Sequence, residues 1–180
     1  MSRRPIERLD ELRRGAAPEE TLAFFDGLPA ASVDEILGEW VGSGCPTGHP
    51  LDGLLEASGW RGKRFDSPED AHPLLFADAR GVFAVNPAGL PMGRLAALAP
   101  LVRRPRVGAL VRRGLRLRAT RRPAARLRMM EFRGVVTATM IYDALPINDH
   151  LRAVDDGVLL GAMDLRGLDA PFFFVLRRER

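Results

Sequence analysis

The chain has 180 residues and 46% hydrophobic content, which is enough for one domain with a sizeable core. No apolar run reaches the roughly 18 residues of a membrane-spanning helix, and the amino terminus lacks the apolar core and the cleavage site of a signal peptide. The one cysteine, Cys45, excludes an intrachain disulfide framework, so these features together predict a cytoplasmic protein.

Positive charge is concentrated in the middle of the chain. Residues 79–130 contain thirteen arginines and no Asp or Glu, so this segment carries +13 and the rest of the chain −9, for a net charge of +4. Two interpretations remain open. The segment is either a binding surface for nucleic acid, anionic lipid or an anionic ligand, or a solvated face that pairs with the acidic remainder.

The first 37 residues have helical signals. Pro5 and Pro18 each suit the first turn of a helix, and residues 32–35 have the spacing of a capping box. These helices have too little apolar area to fold alone. We therefore predict that residues 1–37 form a brace on another part of the protein.

Residues 38–44 have a glycine at alternate positions around Trp40. This pattern is typical of a strand that passes close to another backbone while a large ring fills the space behind it. With Gly38, Trp40 and Gly42, the segment resembles the GXWXG domain.

A later run of residues is similar to the domain of unknown function 4334, which usually follows the GXWXG domain. The resemblance implies no particular reaction. The matching residues are Met140, Ile141, Tyr142, Asp143, Pro146, Ile147, Asp149, His150, Arg152, Val154, Asp155, Gly161, Met163 and Asp164.

A second resemblance concerns the fold. Gly38, Trp40, Gly42 and Gly44 make a Gly-x-Trp-x-Gly-x-Gly pattern that resembles nitrobindins, and Gly-x-Trp near a first strand also resembles lipocalins and fatty-acid-binding proteins. In these calycins the ring closes one end of a β-barrel, and nitrobindins hold haem inside it. The resemblance implies a barrel with Trp40 in its core.

Short strand-like runs separated by turn signals follow between residues 50 and 92, so we assign residues 38–92 to one GXWXG region. His49 and His72 each precede a proline. Neither has a second ligand at the spacing of a zinc site, so we predict no metal site.

Residues 93–123 are predicted to form an Arg-rich helical insertion. Apolar residues recur at helical spacing on both sides of Pro105, which indicates two short basic amphipathic helices bent at that proline. Such helices suit weak contact with an anionic membrane surface. No aromatic residue lies between Val85 and Glu131, so the stacking platforms of single-strand binders are missing and we do not expect nucleic acid as a partner.

The last part of the chain, residues 124–180, alternates strand-like runs with turns. Residues 135–142 and 158–165 have strand patterns. Between them we predict a tight polar crossing that opens at Asp143 and contains Pro146. The crossing is rich in ionisable residues and has an apolar strand on each side, so we predict a ligand site there.

About seven or eight short strands joined by turns favour an antiparallel sheet over βαβ units. We therefore predict a single, mainly β domain of the α+β type, a calycin-like barrel or half-barrel with amino-terminal and mid-chain helices. Such a barrel has room for side chains or one small ligand.

The first hypothesis for function is the binding of a small apolar or amphipathic molecule, such as a lipid or an isoprenoid-like compound, in a barrel pocket. It rests on the barrel resemblance and on an apolar interior. The predicted ligand-binding residues are Trp40, Trp60, Met140, Tyr142, Arg152, Met163, Phe172 and Phe174.

Two alternatives use the same region. One is a small enzyme, an isomerase, cyclase or hydrolase, with Asp143, Asp149 and His150 as catalytic residues beside Tyr142, because a carboxylate and an imidazole permit acid–base catalysis. The same residues also fit a purely structural role, in which they form an ion-pair network around Arg152. The other is haem binding through His150, the only histidine in the C-terminal half. The sequence indicates no particular cofactor and no oligomeric state.

Overall fold

The computed structural model describes residues 4–90 and 92–179, with the side chains of residues 92–96 left out. Residues 1–3 of the predicted brace therefore lie outside the described residues. The helices are α1 (Pro5–Leu12), α2 (Pro18–Asp26), α3 (Val33–Ile36), α4 (Leu54–Ala57), α5 (Met92–Val102) and α6 (Pro105–Arg116). The strands are β1 (Gly38–Gly44), β2 (Trp60–Phe65), β3 (Ala71–Asp78), β4 (Gly81–Val85), β5 (Ala119–Thr120), β6 (Ala125–Phe132), β7 (Val135–Tyr142), β8 (Ile147–Asp155), β9 (Val158–Leu165) and β10 (Phe172–Arg178).

Eight of these strands form a closed antiparallel barrel. Around the ring the order is β1, β2, β3, β6, β7, β8, β9 and β10, and β10 pairs with β1 to close it. Strands β4 and β5 extend from β3 outside the ring. The predicted antiparallel barrel with added helices is confirmed, and the up-and-down order is consistent with the calycin resemblance.

Apolar side chains fill the barrel and also cover part of its outer wall. The three rings of the run Phe172–Phe174 are shared between the interior of the barrel and its outer wall, because alternate residues of a strand face opposite sides. Phe172 and Phe174 belong to the interior cluster. Phe173 belongs to an outer cluster in which α1 and α2 pack against β8, β9 and β10.

Trp40 lies in the barrel core with 2% of its surface exposed. Its Nε1 donates a hydrogen bond of 2.7 Å to the carbonyl oxygen of Ile36, and the Arg178 guanidinium carbon lies 4.4 Å from the centre of the ring. The prediction of a buried Trp40 in a mostly antiparallel barrel is confirmed.

The Arg-rich insertion forms α5 and α6, which pack on α4 at one end of the barrel. Pro105 begins α6 and does not bend one continuous helix. This agrees with the preference of proline for the first helical turn, where no backbone donor is lost. A Cβ atom on Gly108 would lie 2.4 Å from the Ala57 carbonyl oxygen, so glycine is what allows α6 to approach α4.

The predicted polar crossing is wrong in its extent. Only residues 143–146 turn, and β8 begins at Ile147. The ionisable residues assigned to a loop therefore lie on a strand. Alternation then places Asp149 and Leu151 inside the barrel and His150 and Arg152 outside it.

Candidate functional site

A cavity of about 210 Å³ lies between one end of the barrel and helices α4, α5 and α6. Almost all of its wall is apolar. The lining side chains are Leu51, Leu54, Leu55, Ser58, Trp60, Lys63, Leu74, Phe76, Pro87, Leu90, Leu98, Val102, Val111, Leu115, Tyr142, Leu145, Ile147, Asp149, Met163, Phe172 and Phe174.

Three polar side chains meet at the inner wall of this cavity. Lys63 and Asp149 are 3% and 1% exposed, and the Lys63 Nζ lies 2.8 Å from Asp149 Oδ2. The same ammonium donates to the Pro73 carbonyl oxygen at 3.1 Å and to the Tyr142 hydroxyl at 3.4 Å. Its three N–H groups thus each have a nearby oxygen, as a buried cation requires.

Aromatic rings complete the surroundings of Lys63. Its Nζ lies 4.8 Å from the centre of the Phe174 ring and 5.7 Å from the centres of the Trp60 and Tyr142 rings. The negative faces of aromatic rings attract a cation, and the attraction is stronger where water is excluded. The rings therefore offset part of the cost of burying the ammonium.

Three polar atoms of the cavity wall have no aligned hydrogen-bond partner among the described residues. Neither oxygen of Asp149 has one: Oδ2 contacts Lys63 as an ion pair, and the Tyr142 hydroxyl beside the carboxylate does not reach the alignment of a hydrogen bond. Trp60 Nε1 is also unpaired. Buried polar groups normally find partners, so unpaired atoms on a cavity wall are where a ligand would bind.

Burial changes the acid–base properties of this group. It raises the pKa of the Asp149 carboxyl, against the opposing effect of the Lys63 charge. Burial also raises the pKa of Tyr142 well above 10, and the negative charge of Asp149 adds to this rise. Tyr142 is consequently a neutral phenol, and Asp149 is a stronger base than an exposed carboxylate.

A β-bulge brings Lys63 into the barrel. The pairing of β2 with β3 shifts register on both sides of Gly62, so the side-chain alternation restarts and Lys63 points inward. The Gly62 φ angle is +147°, and a Cβ there would lie 1.8 Å from the Trp40 carbonyl oxygen, so no other residue fits.

Lys63 is not among the residues predicted from the sequence. Two signals could have indicated it: a glycine inside a predicted strand, which often marks a bulge, and a single lysine among 26 arginines.

The cavity brings together most of the residues predicted to bind a ligand. Trp40 and Met140 lie in the barrel core but do not line the cavity. The predicted residues that do line it are Trp60, Tyr142, Asp149, Met163, Phe172 and Phe174.

Asp143 and Arg152 do not converge with Tyr142 on the cavity, contrary to the prediction. Asp143 is exposed in the turn before β8 and lies 3.6 Å from Arg126. Arg152 is 1% exposed on the outer wall of the barrel, where it donates to the Leu28 carbonyl oxygen at 3.0 Å. Its guanidinium carbon lies 5.2 Å from the centre of the Phe25 ring, so Arg152 fastens α2 and the following loop to β8.

His150 also faces away from the cavity. Its ring stacks on Phe132 at a centroid distance of 3.9 Å, and its Nδ1 lies 2.9 Å from Thr139 Oγ1. Burial lowers its pKa to about 4, so it is neutral at pH 7. A histidine on the outer wall cannot ligate a haem inside the barrel, and of the three predicted catalytic residues only Asp149 reaches the cavity.

Within the described ranges, no group of three or more His, Cys, Asp or Glu side chains could hold a metal ion. None of the described helices has the length and hydropathy needed to cross a membrane.

Comparison with known proteins gives two family matches and a related structure. Residues 23–81 match the family described as "GXWXG protein", and residues 123–178 match "Domain of unknown function (DUF4334)". A crystal structure of a protein from Thermomonospora curvata is 30% identical, with a TM-score of 0.72 over 98% of this chain and 99% of that chain. No curated protein matches significantly.

Proposed function

This chain belongs to the family in which a GXWXG segment is followed by a DUF4334 domain, and we propose that its barrel binds a small, neutral, mainly apolar molecule with one hydrogen-bond-donating end. The apolar part of the molecule lies among the leucine and phenylalanine side chains of the cavity. Its polar end lies against Asp149.

The observation that carries this proposal is the buried Asp149 carboxylate on an otherwise apolar wall. Lys63 and the Tyr142 hydroxyl lie beside it, yet Oδ1 has no aligned hydrogen-bond donor among the described residues. A buried acceptor without a partner costs about 1–3 kcal/mol. A ligand hydroxyl would remove that cost by donating to Oδ1, and it could accept from Trp60 Nε1, which is also unpaired. A pure hydrocarbon would leave both atoms unpaired.

The volume of the cavity and the charge of Asp149 narrow the class of ligand further. A cavity of about 150 Å³ is known to hold one benzene molecule, so about 210 Å³ suits roughly eight to ten non-hydrogen atoms. This is the size of a medium-chain alcohol such as 1-octanol, which has about nine non-hydrogen atoms. A carboxylate ligand would place a second negative charge beside Asp149, whose one cation is already engaged.

The test uses three probes of matched length: 1-octanol, n-octane and octanoate. We expect 1-octanol to bind most tightly in titration calorimetry. Asp149→Asn keeps the shape of the side chain but removes its charge, so it should weaken 1-octanol binding about tenfold or more. Because Lys63 loses its ion-pair partner in this variant, binding is measured under conditions in which circular dichroism shows the variant folded, and n-octane binding should then be unchanged. Asp143→Asn is the matched control, because Asp143 is exposed and does not line the cavity.

Equal affinity for 1-octanol and n-octane would contradict the role of the polar end. Equal effects of the Asp149→Asn and Asp143→Asn substitutions would contradict the position of the site. Absence of binding by all three probes would contradict the use of the cavity for molecules of this size.

A second candidate function is proton transfer at carbon, as in an isomerase. The raised pKa of Asp149 favours it, because a carboxylate whose pKa lies nearer to neutrality is a better general base. Asp149 would take a proton from the carbon beside a ligand carbonyl and return it to the same or a conjugated carbon. Incubation with 2-octanone in heavy water tests this: exchange of the α protons, followed by NMR, should exceed the buffer rate with the wild-type protein and not with Asp149→Asn.

A further inference from the structure

We propose that the outer face of α6 docks on an anionic lipid bilayer. Helix α6 forms part of the cavity wall with one side and faces solvent with the other. The proposal concerns the solvent side, and it holds whether or not the cavity is occupied.

The two sides of α6 differ in sequence and in contacts. Gly108, Val111 and Leu115 follow one another at helical spacing on the inner side, where Val111 and Leu115 line the cavity. The outer side has a second stripe at positions 106, 110, 113 and 117, where arginine and leucine alternate.

The leucines of the outer stripe are unusually exposed. Leu110 and Leu117 have 70% and 89% of their surface exposed. The arginines of the same stripe, Arg106 and Arg113, are exposed too and have no hydrogen-bond or ion-pair partner among the residues described. A helix side that combines free arginines with exposed leucines is typical of helices that lie in the interface of an anionic membrane.

The neighbouring surface has the same character. On α5, Leu98 and Leu101 are 47% and 45% exposed, and no Asp or Glu occurs in residues 79–130. Positive charge without interspersed acids complements the negative surface of a membrane that contains anionic lipid.

Nucleic acid fits this surface less well than lipid does. Binding to phosphates would account for the arginines but would leave the exposed leucines without a partner. No aromatic side chain lies between Val85 and Glu131 on which a base could stack.

Two arginines of α6 are unsuitable for a test because they contact the barrel. Arg116 lies 3.2 Å from Asp78 and its guanidinium carbon lies 4.6 Å from the centre of the Phe83 ring. Arg112 packs against Gly59. Arg106 and Arg113 are free of such contacts, so their substitution should leave the fold intact.

The experiment is co-sedimentation of the full chain with lipid vesicles. We expect binding to vesicles that contain phosphatidylglycerol and little or none to pure phosphatidylcholine. Arg106→Glu/Arg113→Glu should weaken binding about thirtyfold or more, since each arginine near an anionic surface contributes a factor of about five. Leu110→Gln/Leu117→Gln, which retains helix-forming residues, should weaken it as well and leave the net charge unchanged.

Arg14→Glu/Arg166→Glu is the matched control, because it makes the same change in net charge at exposed positions outside α5 and α6. Its vesicle binding should stay close to that of the wild type, and circular dichroism should show that every variant is folded. Equal loss in the control and in the α6 arginine variant would overturn the proposal, since the effect would then be one of net charge. Binding to duplex DNA or single-stranded RNA that outcompetes the vesicles, with no effect of the leucine substitutions, would overturn it in favour of a nucleic-acid surface.

Discussion

Lys63 on β2 and Asp149 on β8 form an ion pair of 2.8 Å across the inside of the barrel, between strands that are not neighbours in the sheet. The pair is buried in an apolar wall, where neither charge is stable without the other. Removal of either charge therefore leaves the other buried without a partner.

Removal of one partner should destabilise the protein strongly. Lys63→Met leaves the Asp149 carboxylate buried without a cation, and we expect the free energy of unfolding to fall by about 3–5 kcal/mol. Replacement of both residues, as in Lys63→Met/Asp149→Leu, should recover at least half of that loss, because an apolar pair needs no compensation. Urea denaturation of both variants measures this; additive losses in the double variant would show that the two charges do not depend on each other.

The bulge at Gly62 should tolerate no side chain. In Gly62→Ala the new methyl group would lie 1.8 Å from the Trp40 carbonyl oxygen, so β1 and β2 must separate. We expect a loss of more than about 4 kcal/mol, a size reserved for disruption of the core or the backbone. Gly134→Ala is the control: its φ angle is also positive, at +76°, but no atom lies within 4 Å, so it should cost only about 1 kcal/mol.

Trp40 should contribute mainly through its bulk. Trp40→Ala leaves a large void in the barrel and should cost about 3–5 kcal/mol in denaturant unfolding. Trp40→Phe keeps most of the ring but leaves the Ile36 carbonyl oxygen without its 2.7 Å hydrogen bond, which should cost less, about 1–3 kcal/mol. If the phenylalanine variant is as unstable as the alanine variant, the hydrogen bond and not the ring is the main contribution.

His150 should make the protein less stable in mild acid. Its pKa is about 4 in the folded protein and near the ordinary 6.5 in the unfolded chain, so between these values the unfolded state binds more protons. Stability therefore falls as the pH falls from 6.5 to 4, by a total on the order of 2–3 kcal/mol from this residue. Denaturant titrations at several pH values should show a shallower fall for His150→Asn than for the wild type. Identical slopes would mean that His150 gains its proton as easily in the folded protein as in the unfolded chain.

Arg152 should affect stability without affecting the cavity. Arg152→Met retains the apolar stem but removes the donor to the Leu28 carbonyl oxygen, so α2 should detach more easily and become sensitive to limited proteolysis. The affinity for 1-octanol should stay within about twofold of the wild type, because Arg152 faces the outer wall. A large loss of affinity in this variant would place the ligand site near Arg152, as the sequence-based prediction had it.

The fold follows from local patterns and is visible in the sequence. Glycines around Trp40, β-branched alternation in residues 135–142 and frequent turn signals together predict an antiparallel barrel, and the barrel is confirmed. The proline and acidic signals near Pro5 and Pro18 predict the amino-terminal helices, which α1 and α2 confirm. These features depend on residues close together in the chain, which is why sequence suffices for them.

The site depends on contacts between distant residues, and sequence did not decide these. Pro146 and the many polar residues after it have the composition of a loop, so strand β8 was not predicted. It is this strand that places Asp149 on one face of the sheet and His150 and Arg152 on the other. A one-residue change in alternation moves a side chain to the other face of a sheet, and the bulge at Gly62 makes such a change for Lys63. The closed barrel brings β2 opposite β8, and only this arrangement places Lys63 and Asp149 in one apolar cavity. The two side chains become buried, and therefore need each other as partners, only when all eight strands are in register.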